Sequence, residues 1–410
     1  MFFFALIIGT SLARTAVAPT DAKLNELIEN NPDVQVLLNR LESSEALKGR
    51  LTRSFLPKIS LSYGRERFTT GPFHRANQPF GGIEAEVNLF NSGKDRIENS
   101  LRETQAEISR IEVSIIRAQV LAELKKALSH YAYLVEVKAV TTAALSQNEE
   151  NLRSAQKRIE AGLASETDSL DFRQQKIQFK QEISTLEYEM GVTQRLVSTL
   201  FGNNPEDTVM TDFTNAHPDH ADESKLRQSG DSLILKKAQL QREVANFEFE
   251  NHRRWWTPTF DVYGYAQRFT QKEREYDLSG ERNDVTFGFK FTFPIFDGGE
   301  GPRGAQATKS LVQAKQNELR SQELVLQRQT LDARKKLELA HDLIHGSEEN
   351  VQVMNQYRKR VLAEYAKGVK NSPDVLQASL RWIEANIRYA EVKKNYQFAK
   401  VEAEFLASLQ

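Results

Sequence analysis

Cysteine does not occur anywhere in these 410 residues. Its absence excludes disulfides, thiolate metal sites and cysteine nucleophiles, and none of the residues present can take an acyl chain on sulfur. Long apolar runs are nearly as scarce. After residue 20 no stretch approaches the roughly 18 uninterrupted apolar residues of a membrane-spanning helix. An excess of one charge is missing too: 55 Lys and Arg stand against 56 Asp and Glu. A net charge of −1 gives no reason to invoke nucleic acid or an anionic membrane surface. With 40% apolar and 27% charged residues the chain is neither disordered nor a helical membrane protein. No catalytic constellation stands out, so no enzyme and no cofactor is expected.

What is present begins with an export signal, expected over residues 1–20. Phe2-Phe3-Phe4-Ala5-Leu6-Ile7-Ile8 forms an apolar core, and Ala13 and Ala16-Val17-Ala18 are small residues suited to cleavage. No basic residue precedes the core, and Pro19 follows the Ala-Val-Ala site directly, which leaves the cleavage point open.

The dominant pattern is a pair of long helices that occurs twice. From about Ala307 to Tyr365, Leu319, Leu326, Ala333, Leu337, Ala340, Ile344, Val351, Met354, Val361 and Tyr365 recur at steps of 3, 4 or 7. That period, near 3.5, belongs to helices that stay in contact along their length. The first copy runs through Ile97, Leu101, Ile108, Ile111, Ile115, Ala118, Leu121, Leu124, Leu128, Tyr131 and Val135. The expected helices are 94–161 and 166–201 in one half and 303–367 and 373–409 in the other. The longest would span roughly 100 Å at 1.5 Å per residue.

Between the helices the period changes to two, which describes strands with one apolar face. Strands are expected at about 58–68, 82–90, 259–269 and 285–296. Ile59, Leu61, Ile83, Ala85, Val87, Leu89, Phe260, Val262, Phe289, Phe291, Phe293 and Ile295 make the apolar face. Glu84, Glu86, Asp261 and Lys290 fall on the other. Trp255, Trp256, Tyr63, Tyr263 and Tyr265 are the expected interfacial aromatics.

Each half therefore reads helix, strand, strand, long helix, shorter helix: a first repeat over 21–201, a linker over 202–230 and a second repeat over 231–410. Pro57 matches Pro258, and Arg67-Phe68 matches Arg268-Phe269, at an offset of 201. Leu89-Phe90-Asn91 matches Ile295-Phe296-Asp297, and Gly162, Asp168 and Leu200 match Gly368, Asp374 and Leu406, at 206. The change of five falls in the hairpin loop, where insertions are tolerated. Four strands cannot close a barrel, and an open sheet edge cannot sit in lipid. Three copies would supply twelve strands, enough for an open lumen.

In Asn31-Pro32-Asp33-Val34, Leu56-Pro57, Leu89-Phe90-Asn91-Ser92-Gly93, Tyr365-x-x-Gly368 and Asp374-Val375-Leu376 the chain resembles the TolC-like outer-membrane efflux proteins, over nearly its whole mature length. The resemblance implies a mainly α fold with a β-barrel part: a homotrimer with a twelve-stranded barrel in outer-membrane lipid, continued by a helical barrel across the periplasm. It implies the exit duct of a tripartite efflux or type I secretion system, with a periplasmic adaptor and an inner-membrane pump as partners. It places the docking tips at Gly162, Leu163, Gly368 and Val369, and a periplasmic gate at Thr167, Asp168, Tyr365, Lys370, Asp374 and Gln377. Some members have a second Asp where Gln377 stands. Asp168 and Asp374 also lie in first helical turns, where the dipole favours an acid, and that reading stands beside the gate. Gly162 and Gly368 read equally as ordinary C-terminal glycine caps.

Two histidine groups complete the inventory. His341 and His345 share a helix face, but no third ligand accompanies them, so solvated side chains are expected and no metal site. His217-Pro218-Asp219-His220 in the linker reads the same way. The rival to the duct is a periplasmic or surface coiled-coil scaffold. It has no use for Phe289, Phe291 and Phe293 facing water.

Overall fold

The computed structural model describes residues 21–70, 74–162, 166–202, 232–271 and 280–409. The expected export signal, Leu163, almost all of the expected linker and His217-Pro218-Asp219-His220 lie outside the described residues. In order the elements are α1 (Asp21–Ile28), α2 (Pro32–Ala46), α3 (Arg50–Ser54), β1 (Lys58–Thr70), β2 (His74–Phe90), α4 (Lys94–Glu160) and α5 (Glu166–Leu200). Then come α6 (Leu233–Arg253), β3 (Thr259–Gln271), β4 (Gly280–Thr292), α7 (Glu300–Ala366) and α8 (Ser372–Ser408). No described helix is long and apolar enough to cross a membrane.

The residues gather into two compact units that cut across the repeats: residues 37–112 and 234–323 form one, the remainder the other. Each draws on both halves of the sequence, because strands of different halves pair and helices of different halves share cores.

In the strand-bearing unit the sheet has the order β1-β2-β3-β4, all antiparallel. Its register carries the alternation from strand to strand. Leu61 lies opposite Ile83, Ile83 opposite Ala266, and Ala266 opposite Val285. Val87, Val262 and Phe289 form a second such row, and Phe260 and Phe291 a third pair. This face is open: Leu61 is 82% exposed and Phe289 75%. Glu86 lies between Lys58 and Tyr263, Glu84 between Ser60 and Tyr265, and Asp261 between Asn88 and Lys290 on the opposite, polar face.

Three details differ from the alternation read in the sequence. The β2–β3 ladder is irregular between Asn88 and Phe90, so Leu89 is skipped and Phe90 stands opposite Phe260. Tyr263 and Tyr265 sit on the polar face, stacked with ring centroids 6.5 Å apart, not at an apolar rim. The strand expected to reach 296 stops at Thr292, just before Pro294, which has no amide to give a ladder. Aromatic rings cover glycines across the strands: a Cβ on Gly64 would meet the Phe80 ring at 2.7 Å, and one on Gly288 would meet Tyr263 at 2.7 Å. Only glycine leaves room for those rings.

Each hairpin hands over to its long helix through a tight turn. In the first, Ser92 and Gly93 adopt φ of 49° and 77°. Arg254 donates to the Ser92 carbonyl at 2.8 Å, and the Ser92 hydroxyl donates to the Pro258 carbonyl at 2.6 Å. In the second, Asp297 accepts from the amides of Gly299 (3.0 Å) and Gly301 (2.6 Å), while nothing stands within 4 Å of a Cβ at Gly298 or Gly299.

Among the described residues the other unit has helices and no strand. Ala155, Phe172, Val361, Tyr365, Val375 and Ala378 join α4, α5, α7 and α8 in one buried cluster. Leu134, Val137, Leu186 and Ala390 form a second, and Ala144, Phe179 and Ile383 a third. Buried residues at strict seven-residue steps, Phe172, Phe179, Leu186, Thr193 and Leu200, show that α5 carries its own seam. Asn31 caps α2, accepting from Asp33 at 2.9 Å, and its amide donates to the Leu200 carbonyl at 2.9 Å, tying α2 to α5.

Candidate functional site

The residues that matter most lie where the helix pairs turn, all in the helical unit. The α7 turn closes as a Schellman motif: the Gly368 amide donates to Tyr365 (3.0 Å) and the Val369 amide to Glu364 (2.9 Å). Gly368 has φ 79° and Gly162 φ 72°, a conformation that glycine adopts without steric cost. Both glycines are exposed, and Val369 is 71% exposed. Residues 369–371 then lead straight into α8, whose N-cap is Asn371. Its side chain accepts from the Asp374 amide at 3.2 Å and its own amide donates to the Asp374 carboxylate at 3.4 Å, a capping box. Lys370 Nζ lies 3.8 Å from the Asp374 carboxylate. Asp374 is thus held in the first turn of its own helix, partly exposed.

The contact that joins the two pairs runs through Ser372. It is buried at the start of α8, and its hydroxyl donates to the Asp168 carboxylate at the start of α5. Beside it, Tyr365 is 4% exposed. Arg158, from the last turn of α4, donates to the Tyr365 carbonyl at 3.1 Å, and its guanidinium stands 4.8 Å from the ring centroid. The Phe172 ring meets the Tyr365 ring edge-on at 6.4 Å. The Tyr365 hydroxyl is buried, with the Arg158 guanidinium beside it but no well-aligned hydrogen bond. Burial pushes its pKa up, with Arg158 opposing and Asp168 adding to the rise.

Of the six gate residues named from sequence, Asp168 and Tyr365 come together around Ser372 and Arg158, while Lys370 and Asp374 pair with each other. Thr167 and Gln377 are exposed. Sequence reasoning missed Arg158 and Ser372. Arg158 carried a faint signal, a basic residue in a helix's last turn, where it complements the dipole.

His341 and His345 meet edge-on with centroids 5.6 Å apart, and His341 lies 6.4 Å from Tyr396. Among the described residues no group of three or more His, Cys, Asp or Glu is placed to hold a metal.

A sequence model of the family described as outer membrane efflux protein matches residues 24–203 and 230–404. No curated protein matches by sequence. Among solved structures the fold is similar to the outer membrane protein VceC of Vibrio cholerae, with TM-score 0.78, 14% identity, and 94% of this chain and 96% of that one covered. It is similar also to a membrane protein from Pseudomonas aeruginosa (TM-score 0.80, 17% identity, coverage 96% and 91%). A third is the outer membrane channel CmeC of Campylobacter jejuni (TM-score 0.79, 15% identity, coverage 94% and 85%). At these identities the likeness is one of fold.

Proposed function

The chain belongs to the outer membrane efflux protein family, and on that premise we propose that three copies close one barrel in the outer membrane and continue as a helical duct into the periplasm. The family consists of efflux channels, conduits rather than enzymes. The observation that carries the trimer is the sheet: four strands with two unpaired edges and an exposed apolar face from Leu61 to Phe289. Such edges and such a face are compatible with lipid only when the sheet is closed. Exposed Leu170, Ile177, Leu196, Leu324, Leu331 and Leu339 on α5 and α7 support the same reading, since a second copy would cover them.

Within that reading residues 1–20 are the export signal, 21–201 and 231–410 the two repeats, and 202–230 the linker between them. The turns at Gly162-Leu163 and Gly368-Val369 form the ring against which a periplasmic adaptor docks, linking the duct to an inner-membrane pump. Open space around Gly162 supports an accessible tip. Thr167, Asp168, Tyr365, Lys370, Asp374 and Gln377 form the gate just beyond it. What supports the gate is the Asp168–Ser372 hydrogen bond between helix pairs beside the buried Tyr365.

The test begins with fractionation and mass in detergent: an outer-membrane trimer is expected, and a monomer that needs no detergent overturns the reading. In planar bilayers Asp168→Ala combined with Tyr365→Phe should raise conductance through loss of the Asp168–Ser372 bond, and Asp374→Asn should weaken cation selectivity, because a ring of like charges acts on every passing ion. Wild-type conductance and selectivity in both would leave Asp168 and Asp374 as helix-start residues alone. Gly162→Arg should abolish export with trimer levels unchanged; undiminished adaptor crosslinking in that variant would remove the docking assignment.

A further inference from the structure

The chain carries, inside itself, a copy of the junction that its neighbour must make. β1 and β3 differ by 201 at both ends, and β2 and β4 differ by 206 at their starts. Under these shifts the two hairpins have one register: Leu61 opposite Ile83 becomes Val262 opposite Phe289. The β2–β3 pairing therefore joins the second strand of one repeat to the first strand of the next. β4 and β1 are the equivalents of those two strands, and they are the edges of the sheet. With β2 and β3 lying between them they are not paired with each other, so the partner each edge fits is a second copy.

We propose that β4 of one copy pairs antiparallel with β1 of the next with Phe291 opposite Tyr63, Thr292 opposite Ser62 and Phe293 opposite Leu61. This inference rests on the trimer reading and adds the register of its seam. It follows from moving the pairs Ala85–Gly264, Glu86–Tyr263 and Val87–Val262 by the two offsets.

Two observations that played no part in that construction agree with it. The first is the face. Leu61, Tyr63, Phe289 and Phe291 are all exposed, and the register puts all of them on one side, with Ser62 and Thr292 on the other. A slip of one residue would set Phe291 against Ser62 and turn one strand's apolar set away from its neighbour's. The second is Pro294, which takes the place of Asn88, where the β2–β3 ladder is already irregular. A residue without an amide is tolerated at such an irregularity, whereas a slip of two that sets Pro294 opposite Ser62 would carry it into regular ladder.

The sequence has no cysteine, so paired substitutions read the seam without background. In the full-length protein in membranes, Tyr63→Cys with Phe291→Cys should oxidise to a covalent ladder ending at three copies. Directly opposite residues are within disulfide reach, whereas neighbours two along the strand lie about 7–8 Å away, so pairing Tyr63→Cys with Phe289→Cys or Phe293→Cys should crosslink about tenfold less. Leu61→Cys with Phe293→Cys tests the same register where the first pair fails to assemble. A slipped pair that crosslinks best, in protein whose detergent mass is still trimeric, overturns the register and leaves the trimer standing. A monomeric mass with no crosslink from any pair overturns both.

Discussion

The two strand-to-helix turns do the same job at equivalent places and are built differently. At Ser92-Gly93 a side chain from the other repeat reaches in: Arg254 bonds the Ser92 carbonyl, and the Ser92 hydroxyl bonds the Pro258 carbonyl. At Gly298-Gly299 the ties are internal, from Asp297, and the surroundings are open. Residue 53 stands where Arg254 stands in the duplicate, and it is also an arginine. Yet Arg53 donates to the Leu47 carbonyl at 2.7 Å and to the neighbouring carbonyls of Ala46 and Lys48. There the helix that runs unbroken as α6 in the second repeat is split at Gly49, φ 74°. The same residue type thus ties a turn in one repeat and satisfies a helix end in the other. Duplication kept the frame and let the fastenings diverge.

The largest test of that equivalence concerns Ala85 and Phe291, which are 206 apart and share the apolar face. Lysine at either should cost up to about 2–4 kcal/mol per copy, the upper figure holding for a lipid-facing charge at mid-bilayer, and deplete the outer-membrane oligomer. Thr292→Lys, on the other face, should leave it intact. Depletion by only one of the two apolar-face changes, read on heat-modifiable gels, would mean that the repeats do not sit at the same depth.

A middle-sized effect separates the two arginines. Arg254→Ala removes a charged donor from a turn and should lower stability by about 1.5–3 kcal/mol, whereas Arg53→Ala, on exposed carbonyls, should cost about 0.5–1 kcal/mol. Heat-dissociation midpoints of the two variants in detergent compare them directly. Equal losses would remove the distinction between a tie and a cap.

The smallest effect belongs to Tyr365, whose duplicate is Ile159. Because its buried hydroxyl has no well-aligned hydrogen bond, Tyr365→Phe should change stability by less than about 1 kcal/mol at neutral pH. Its folded pKa lies above the unfolded value of about 10, so the neutral phenol favours the folded state fully below that pH. That contribution fades as pH rises through the higher folded value. Alkaline melting curves should show the wild type losing stability that the Phe variant retains.

Much of this was legible in the sequence, because the signals were local. The helices follow from a seven-residue period with little Gly or Pro, and the faces of the sheet from alternation. What stayed hidden depends on residues far apart in the chain. Ser372 meets Asp168 across 204 residues and Arg158 meets Tyr365 across 207, brought together only by the packing of four helices. The seam of α5 escaped notice because one of its members is Thr193 and because exposed Leu170, Ile177 and Val192 blur the spacing. The skipped Leu89 is a backbone event with no mark in residue type.

α4 and α7 are each 67 residues long, and their ends differ by 206 at both termini. That equality makes length a shared quantity. Removing one heptad from α7 alone would withdraw its turn by about 10.5 Å from the level of its twin, while removing a number far from whole turns would rotate its buried stripe out of place. Change in helix length is therefore best tolerated in matched pairs and in near-whole numbers of turns. A lineage that needs a longer or shorter reach has to edit both repeats at once.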